Sequence, residues 1–122
     1  MRKIRAAVIG VGYLGRFHAE KYAQIPEAEL VAVVDTDPAK REELARKLGT
    51  AAVADYREIL DRVDAVSIVV PTQHHHEVAR DFLQRGVHVL LEKPITTTLA
   101  EADDLIRIAA GKNLVFQVGH LE

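Results

Sequence analysis

The apolar positions of this chain gather into six short runs, each separated from the next by a polar stretch that carries helix start and stop signals. The runs are Lys3–Gly10 (KIRAAVIG), Glu29–Asp35 (ELVAVVD), Ala51–Val53, Ala65–Val70 (AVSIVV), Val87–Leu91 (VHVLL) and Leu114–Val118 (LVFQV). Short, β-branched and almost unbroken, they read as strands of a parallel sheet covered on both faces. The first intervening stretch predicts a helix over Tyr13–Ile25, halted by Pro26. Asp37-Pro38 is an N-cap followed by proline at the first helical position, opening a helix over Ala39–Leu48 that closes at Gly49. A short helix follows over Tyr56–Asp61, and a longer one from His74 to Arg85 stops at Gly86. Thr98-Leu99-Ala100-Glu101 is a capping box for a last helix to Ala110, with Gly111 as its stop. Strands alternating with helices predict one α/β domain over residues 1–122, a doubly wound parallel sheet of six strands in the Rossmann order 3-2-1-4-5-6.

Composition narrows the function classes. Of the 122 residues, 48% are hydrophobic and 28% charged, an ordinary globular balance that can build one core. Sixteen basic and eighteen acidic side chains leave a net charge of −2, so neither a nucleic-acid footprint nor a polybasic membrane patch is expected. The chain has no cysteine, which excludes disulfides and thiolate chemistry. All apolar runs are short, no signal peptide precedes the first strand, and the expected address is the cytoplasm.

Between the first run and the first helix stand Gly10, Gly12 and Gly15, in the G-x-G-x-x-G spacing. The first permits a tight turn, the second lets a pyrophosphate approach the backbone, and the third lets the helix press against the sheet. The helix behind them presents free N–H groups and a partial positive charge. Asp35 lies twenty residues beyond Gly15 at the end of the second run, where a carboxylate can bind a ribose 2′-hydroxyl. It can equally cap the turn with Thr36. In the doubly wound order a ligand lies across the carboxyl ends of strands one and four, so the expected cofactor-binding residues are Gly10, Gly12, Tyr13, Leu14, Gly15, Asp35, Thr36, Val70, Pro71 and Thr72. A carboxylate at position 35 repels a 2′-phosphate, which points to NAD over NADP.

Glu92-Lys93-Pro94 follows strand five on the same rim. A lysine there is commonly a solvated charge, but one at the mouth of a cleft can bind a substrate hydroxyl and help take its proton. Lys93 is therefore the catalytic candidate. No metal site is expected: His74, His75 and His76 point about 100° apart on a helix and cannot face one ion. His18, on the first helix, reads as a packing residue rather than a catalyst, and His88 as core. Arg16 is either a phosphate partner or an exposed charge.

AAVIGVGYLGRFHAEKY, VVD at Asp35, VPTQHHHEVA and GVHVLLEKPITTT together resemble the N-terminal domain of the Gfo/Idh/MocA oxidoreductases. That family includes glucose–fructose oxidoreductase and inositol dehydrogenase, and the Glu92-Lys93-Pro94 tripeptide is the specific signal. The resemblance implies NAD(P)-dependent hydride transfer at a hydroxyl-bearing carbon of a sugar, cyclitol or nucleotide sugar. It implies that Lys93 acts on the substrate hydroxyl, that Glu92 lies by the nicotinamide ribose, and that Lys93 and Pro94 are also among the cofactor-binding residues. His75 matches the histidine of the family's P-T-x-x-H-x-E pattern, near the cofactor. GYLGRFHAEKY with QVGHLE leans towards members acting on UDP-amino sugars.

Length is the departure from that pattern. Family members continue into a second α/β domain that supplies the substrate floor, an aspartate, a histidine and the dimer interface. The expectation is thus a cofactor domain that binds NAD without turning over and exposes an apolar surface suited to self-association as a homo-oligomer. The alternatives are a non-catalytic NAD-binding sensor or interaction module, and a plain α/β scaffold.

Overall fold

The computed structural model describes residues 3–92, 96 and 98–119. Its elements are β1 (Ile4–Ile9), α1 (Tyr13–Gln24), β2 (Ala28–Val34), α2 (Pro38–Leu48), β3 (Ala51–Val53), β4 (Ala65–Ile68), α3 (His75–Gln84), β5 (His88–Glu92), α4 (Leu99–Gly111) and β6 (Phe116–Gly119), with single 3₁₀ turns at Tyr56–Ile59 and Thr72–His74. The strands form one six-stranded sheet in the order β3-β2-β1-β4-β5-β6. Every pairing is parallel. This is the expected doubly wound topology, and it places the reversal of strand order between β1 and β4.

Alternation along β1 divides the core into two layers. Ala7 and Ile9 join Val66, Ile68, Val89 and Leu91 beneath α3 and α4, where Phe82, Leu83 and Leu105 are fully buried. Val8 joins Val33 on the opposite face, packed by Ala19 of α1 and Leu44 and Ala45 of α2. Full burial of each large side chain contributes about 1.5–3 kcal/mol, so the two layers together hold the helices on both faces.

Local chemistry at the ends agrees with the sequence. Asp37 Oδ1 accepts the Ala39 and Lys40 N–H groups at 3.0 and 3.3 Å. Gly49 closes α2 in the left-handed conformation, φ 68°. Thr98 Oγ1 accepts Glu101 N–H at 3.2 Å.

Most boundaries shift by a residue or two, the short helix expected over Tyr56–Asp61 is a 3₁₀ turn over Tyr56–Ile59, and four further differences have a visible cause. The fourth strand ends at Ile68 rather than Val70: Val69 N–H still reaches Ile9 O at 2.7 Å, but β1 turns out of the sheet at Gly10 and the ladder stops there. The region from His74 divides, with a 3₁₀ turn to His74 and α-helix only from His75. Gly111 does not stop the last helix: it is the final helical residue, and Asn113 takes the left-handed position instead, φ 56°. The sixth strand starts at Phe116 rather than Leu114, since Leu114 N–H is committed to Ala109 O at 3.0 Å, closing α4. Val115 N–H goes to His88 Nδ1 at 2.9 Å. His88 is accordingly half-buried rather than core, its ring serving the adjoining strand.

Candidate functional site

β1 leaves the sheet through Gly10, whose φ of 94° only glycine adopts without strain. A Cβ there would stand 2.5 Å from Val69 O, so the turn also needs the missing side chain for space. Gly12 is the N-cap of α1 and supplies no side-chain cap. The first N–H groups of α1 therefore face outward with a partial positive charge. A Cβ on Gly12 would meet nothing within 4 Å, which leaves an open approach to those amides. Gly15 is the opposite case: its Cβ would fall 1.7 Å from Gly10 O. The close approach that Gly15 permits is thus to the turn itself, with Val69 of β4's continuation next nearest at 3.6 Å.

Across this turn lies Asp35, the residue after β2. Its Oδ2 accepts Val11 N–H at 2.9 Å and its Oδ1 accepts Asp37 N–H at 2.8 Å. The carboxylate caps its own turn and also ties the glycine loop to the end of β2. Each oxygen keeps a second lone pair that can accept from a hydroxyl. Arg41 Nη1 donates to the carbonyls of Asp35 and Thr36 at 3.1 and 3.4 Å, stiffening the same corner.

A cleft of about 610 Å³ opens at this edge, lined by Gly10, Gly12, Asp35, Thr36, Val70 and Pro71 among the expected residues. That volume suits a small-molecule ligand. Sequence reasoning missed Asp55, Tyr56, Arg57 and Glu77 of its far wall; His74, which also lines it, is one of the three histidines that could reach a ligand from the helix start. The signal was available: Asp55–Arg57 follow the carboxyl end of β3, on the same rim as the residues chosen. Tyr56 donates to Asp81, and burial followed by that hydrogen bond raises its pKa above the ordinary phenol value, so it stays protonated. The Arg57 guanidinium lies 5.0 Å from the Tyr56 ring centroid, a cation–π contact at the cleft wall.

The remaining expected residues are distributed around this cleft. Tyr13, on the first turn of α1, is 81% exposed and lines a second hollow with Arg16 and Lys40. Leu14 is exposed beside it, and Thr72 lies in the 3₁₀ turn after Pro71. Arg16 pairs with Glu43 at 3.1 Å on the surface. His75 is buried, and its Nε2 bonds Val70 O at 2.8 Å, so it meets the cleft through the wall it supports. The three consecutive histidines part company: His74 faces the cleft, His75 the interior, and His76 pairs with Asp104 of α4 at 2.7 Å. Glu92 ends β5 and turns inward, where its Oε2 meets His18 Nε2 at 2.9 Å. Lys93 and Pro94 lie outside the described residues.

A parallel sheet that reverses at a side-chain-free turn, with an uncapped helix start on one side and an acid on the other, defines a dinucleotide-binding domain. The chain matches the oxidoreductase family with the NAD-binding Rossmann fold (Gfo/Idh/MocA) over residues 4–120, and it belongs to that family. It is 46% identical over 122 residues to UDP-N-acetylglucosamine 3-dehydrogenase of Acidithiobacillus ferrooxidans, covering 100% of this chain and 38% of the relative. The solved structure of that enzyme superposes with a TM-score of 0.90, covering 97% of this chain and 38% of the other. Scyllo-inositol dehydrogenase of Lactobacillus casei, solved with bound NAD(H) and scyllo-inositol, is 30% identical with a TM-score of 0.89, covering 96% of this chain and 36% of that one. The chain thus spans a little over a third of the length of these relatives. No helix among the described residues is long and apolar enough to cross a membrane.

Proposed function

We propose that the chain binds NAD in preference to NADP and forms the cofactor half of an oxidoreductase acting at a hydroxyl-bearing carbon of a nucleotide sugar. The observation that carries this reading is the pair of opposite glycines on one turn: Gly12 open to 4 Å above the start of α1, and Gly15 closed against Gly10 below it. The resulting cradle presents backbone donors and no side chain, as a pyrophosphate requires. In this reading Asp35, fixed by two backbone N–H groups, accepts from the adenosine ribose hydroxyls and repels a 2′-phosphate. The likeness to UDP-N-acetylglucosamine 3-dehydrogenase supports a UDP-amino sugar as substrate, with sugars and cyclitols as the broader class.

When bound, the nicotinamide supplies hydride transfer. In this reading the α1 amides at residues 12–14 hold the diphosphate, Asp35 orients the adenosine, and Lys93 hydrogen-bonds the substrate hydroxyl and helps take its proton. The same reading carries Val70, Pro71, Thr72, His75, Glu92 and Pro94 as cofactor neighbours, a cytoplasmic address, and self-association through exposed apolar residues such as Val115 and Val118.

Calorimetric titration of the chain with NAD and NADP tests the proposal. Heat with NAD, and affinity for NADP weaker by about tenfold or more, is the expected result. Silence at millimolar NAD, with no shift in melting temperature, overturns it. In the Asp35→Ala variant NAD affinity should fall by about tenfold and the preference over NADP should narrow. Melting temperature should fall too, since Val11 and Asp37 lose their acceptor. In a full-length enzyme carrying this domain, Lys93→Ala should lower kcat by about 10² to 10⁴-fold while NAD affinity changes by less than about tenfold. Wild-type turnover in that variant removes Lys93 from the chemistry.

A further inference from the structure

An acid at the carboxyl end of a strand normally extends into water, but the Glu92 side chain is only 8% exposed, and it is turned beneath α1. There it meets His18, whose side chain is 1% exposed, with 2.9 Å between Nε2 and Oε2. The other buried residues of α1, Gly15 and Ala19, are small, as close helix-to-sheet packing demands. An imidazole between them is out of keeping. Among the described residues its Nδ1 has no hydrogen-bond partner, which a buried filler of apolar type would have avoided. The position is therefore built around its other nitrogen and the carboxylate that nitrogen holds.

Two features of the fold give that bond a consequence. Asp35 sets the adenosine end of the ligand at β2, so the other half of a dinucleotide runs past β4 towards β5, where Glu92 stands. The helix that carries His18 also carries, at its start, the amides facing the diphosphate. We infer that His18 is a positioning residue: through its hydrogen bond to Glu92 it couples the diphosphate-binding start of α1 to the end of β5, fixing the carboxylate that receives the nicotinamide half of NAD. The inference rests on the cofactor reading above and adds a role to a residue that makes no contact with the ligand.

The test compares NAD with ADP, which engages the glycine turn and Asp35 but lacks the nicotinamide half, by calorimetry on the chain. Glu92→Leu should weaken NAD by about tenfold, the worth of one charge-assisted hydrogen bond, and leave ADP within about twofold. The double variant H18L/E92L should match Glu92→Leu for both nucleotides, because His18 acts only through the carboxylate. Neither variant buries an orphaned carboxylate, so the comparison does not depend on whether His18→Leu alone folds. His18→Gln, which places an N–H donor near the same point, should keep wild-type NAD affinity within about threefold. The inference is overturned if Glu92→Leu binds NAD as tightly as wild type, or if the double variant loses much more NAD than Glu92→Leu. It is equally overturned if ADP weakens in step with NAD, since His18 is then a prop for the phosphate turn. If the wild-type chain binds neither nucleotide, the cofactor reading itself has failed, before any variant is considered.

Discussion

Gly15→Ala is expected to abolish NAD binding and to lower the stability of the chain by about 3 kcal/mol or more. The added methyl would lie 1.7 Å from Gly10 O and 2.7 Å from Gly10 C, both backbone atoms. Nothing there yields cheaply. Gly10 is held by its N–H to Val34 O at 2.7 Å and occupies a φ of 94°. The remaining escape is for α1 to lift from the sheet, which uncovers Val8 and Val33 and misdirects the amides at residues 12–14. Gly12→Ala is the internal control. Its methyl meets nothing within 4 Å and its φ of −69° suits alanine, so stability should stay within about 0.5 kcal/mol of wild type. NAD should nevertheless be lost, because the methyl stands where the diphosphate approaches. Urea unfolding and calorimetry on both variants decide the matter, and wild-type stability in Gly15→Ala would refute this account of the turn.

His18→Leu is expected to cost about 3–5 kcal/mol, as a buried carboxylate left without its partner does. The pair joins residues 74 positions apart and lies almost wholly inside the molecule. Removing both partners together changes the sign of the argument. The double variant H18L/E92L should recover to within about 1 kcal/mol of wild type, since two apolar groups replace a bonded pair without orphaning either. Non-additivity of this size in a urea double-mutant cycle is the expected signature. Additive losses would mean that the two side chains are independent and that the 2.9 Å contact carries no weight.

Much of this molecule is legible along the chain because the relevant physics is local. Asp37, Gly49 and Thr98 act on backbone groups within four residues, and each does in the structure what its position implied. Gly111 failed that logic because Asn113 tolerates the left-handed conformation and let the helix run on. The strand order followed from apolar runs alternating with helices, since a right-handed crossover leaves few other arrangements. The cleft was half legible. Its glycine side and Asp35 carry a motif, whereas the wall at Tyr56 and Arg57 is a short 3₁₀ turn marked by its place after β3 and by no motif of its own.

Sequence alone determined the class of the domain, because a glycine's freedom, a helix cap and a buried apolar run are properties of a few neighbouring residues. Tertiary structure decided the rest: that Asp35 holds Val11 as well as its own turn, that three adjacent histidines serve three places, and that His18 faces Glu92. Those partners are set by how helices lie on the sheet, and the chain order of the residues involved holds no trace of which side chains that packing brings within 3 Å.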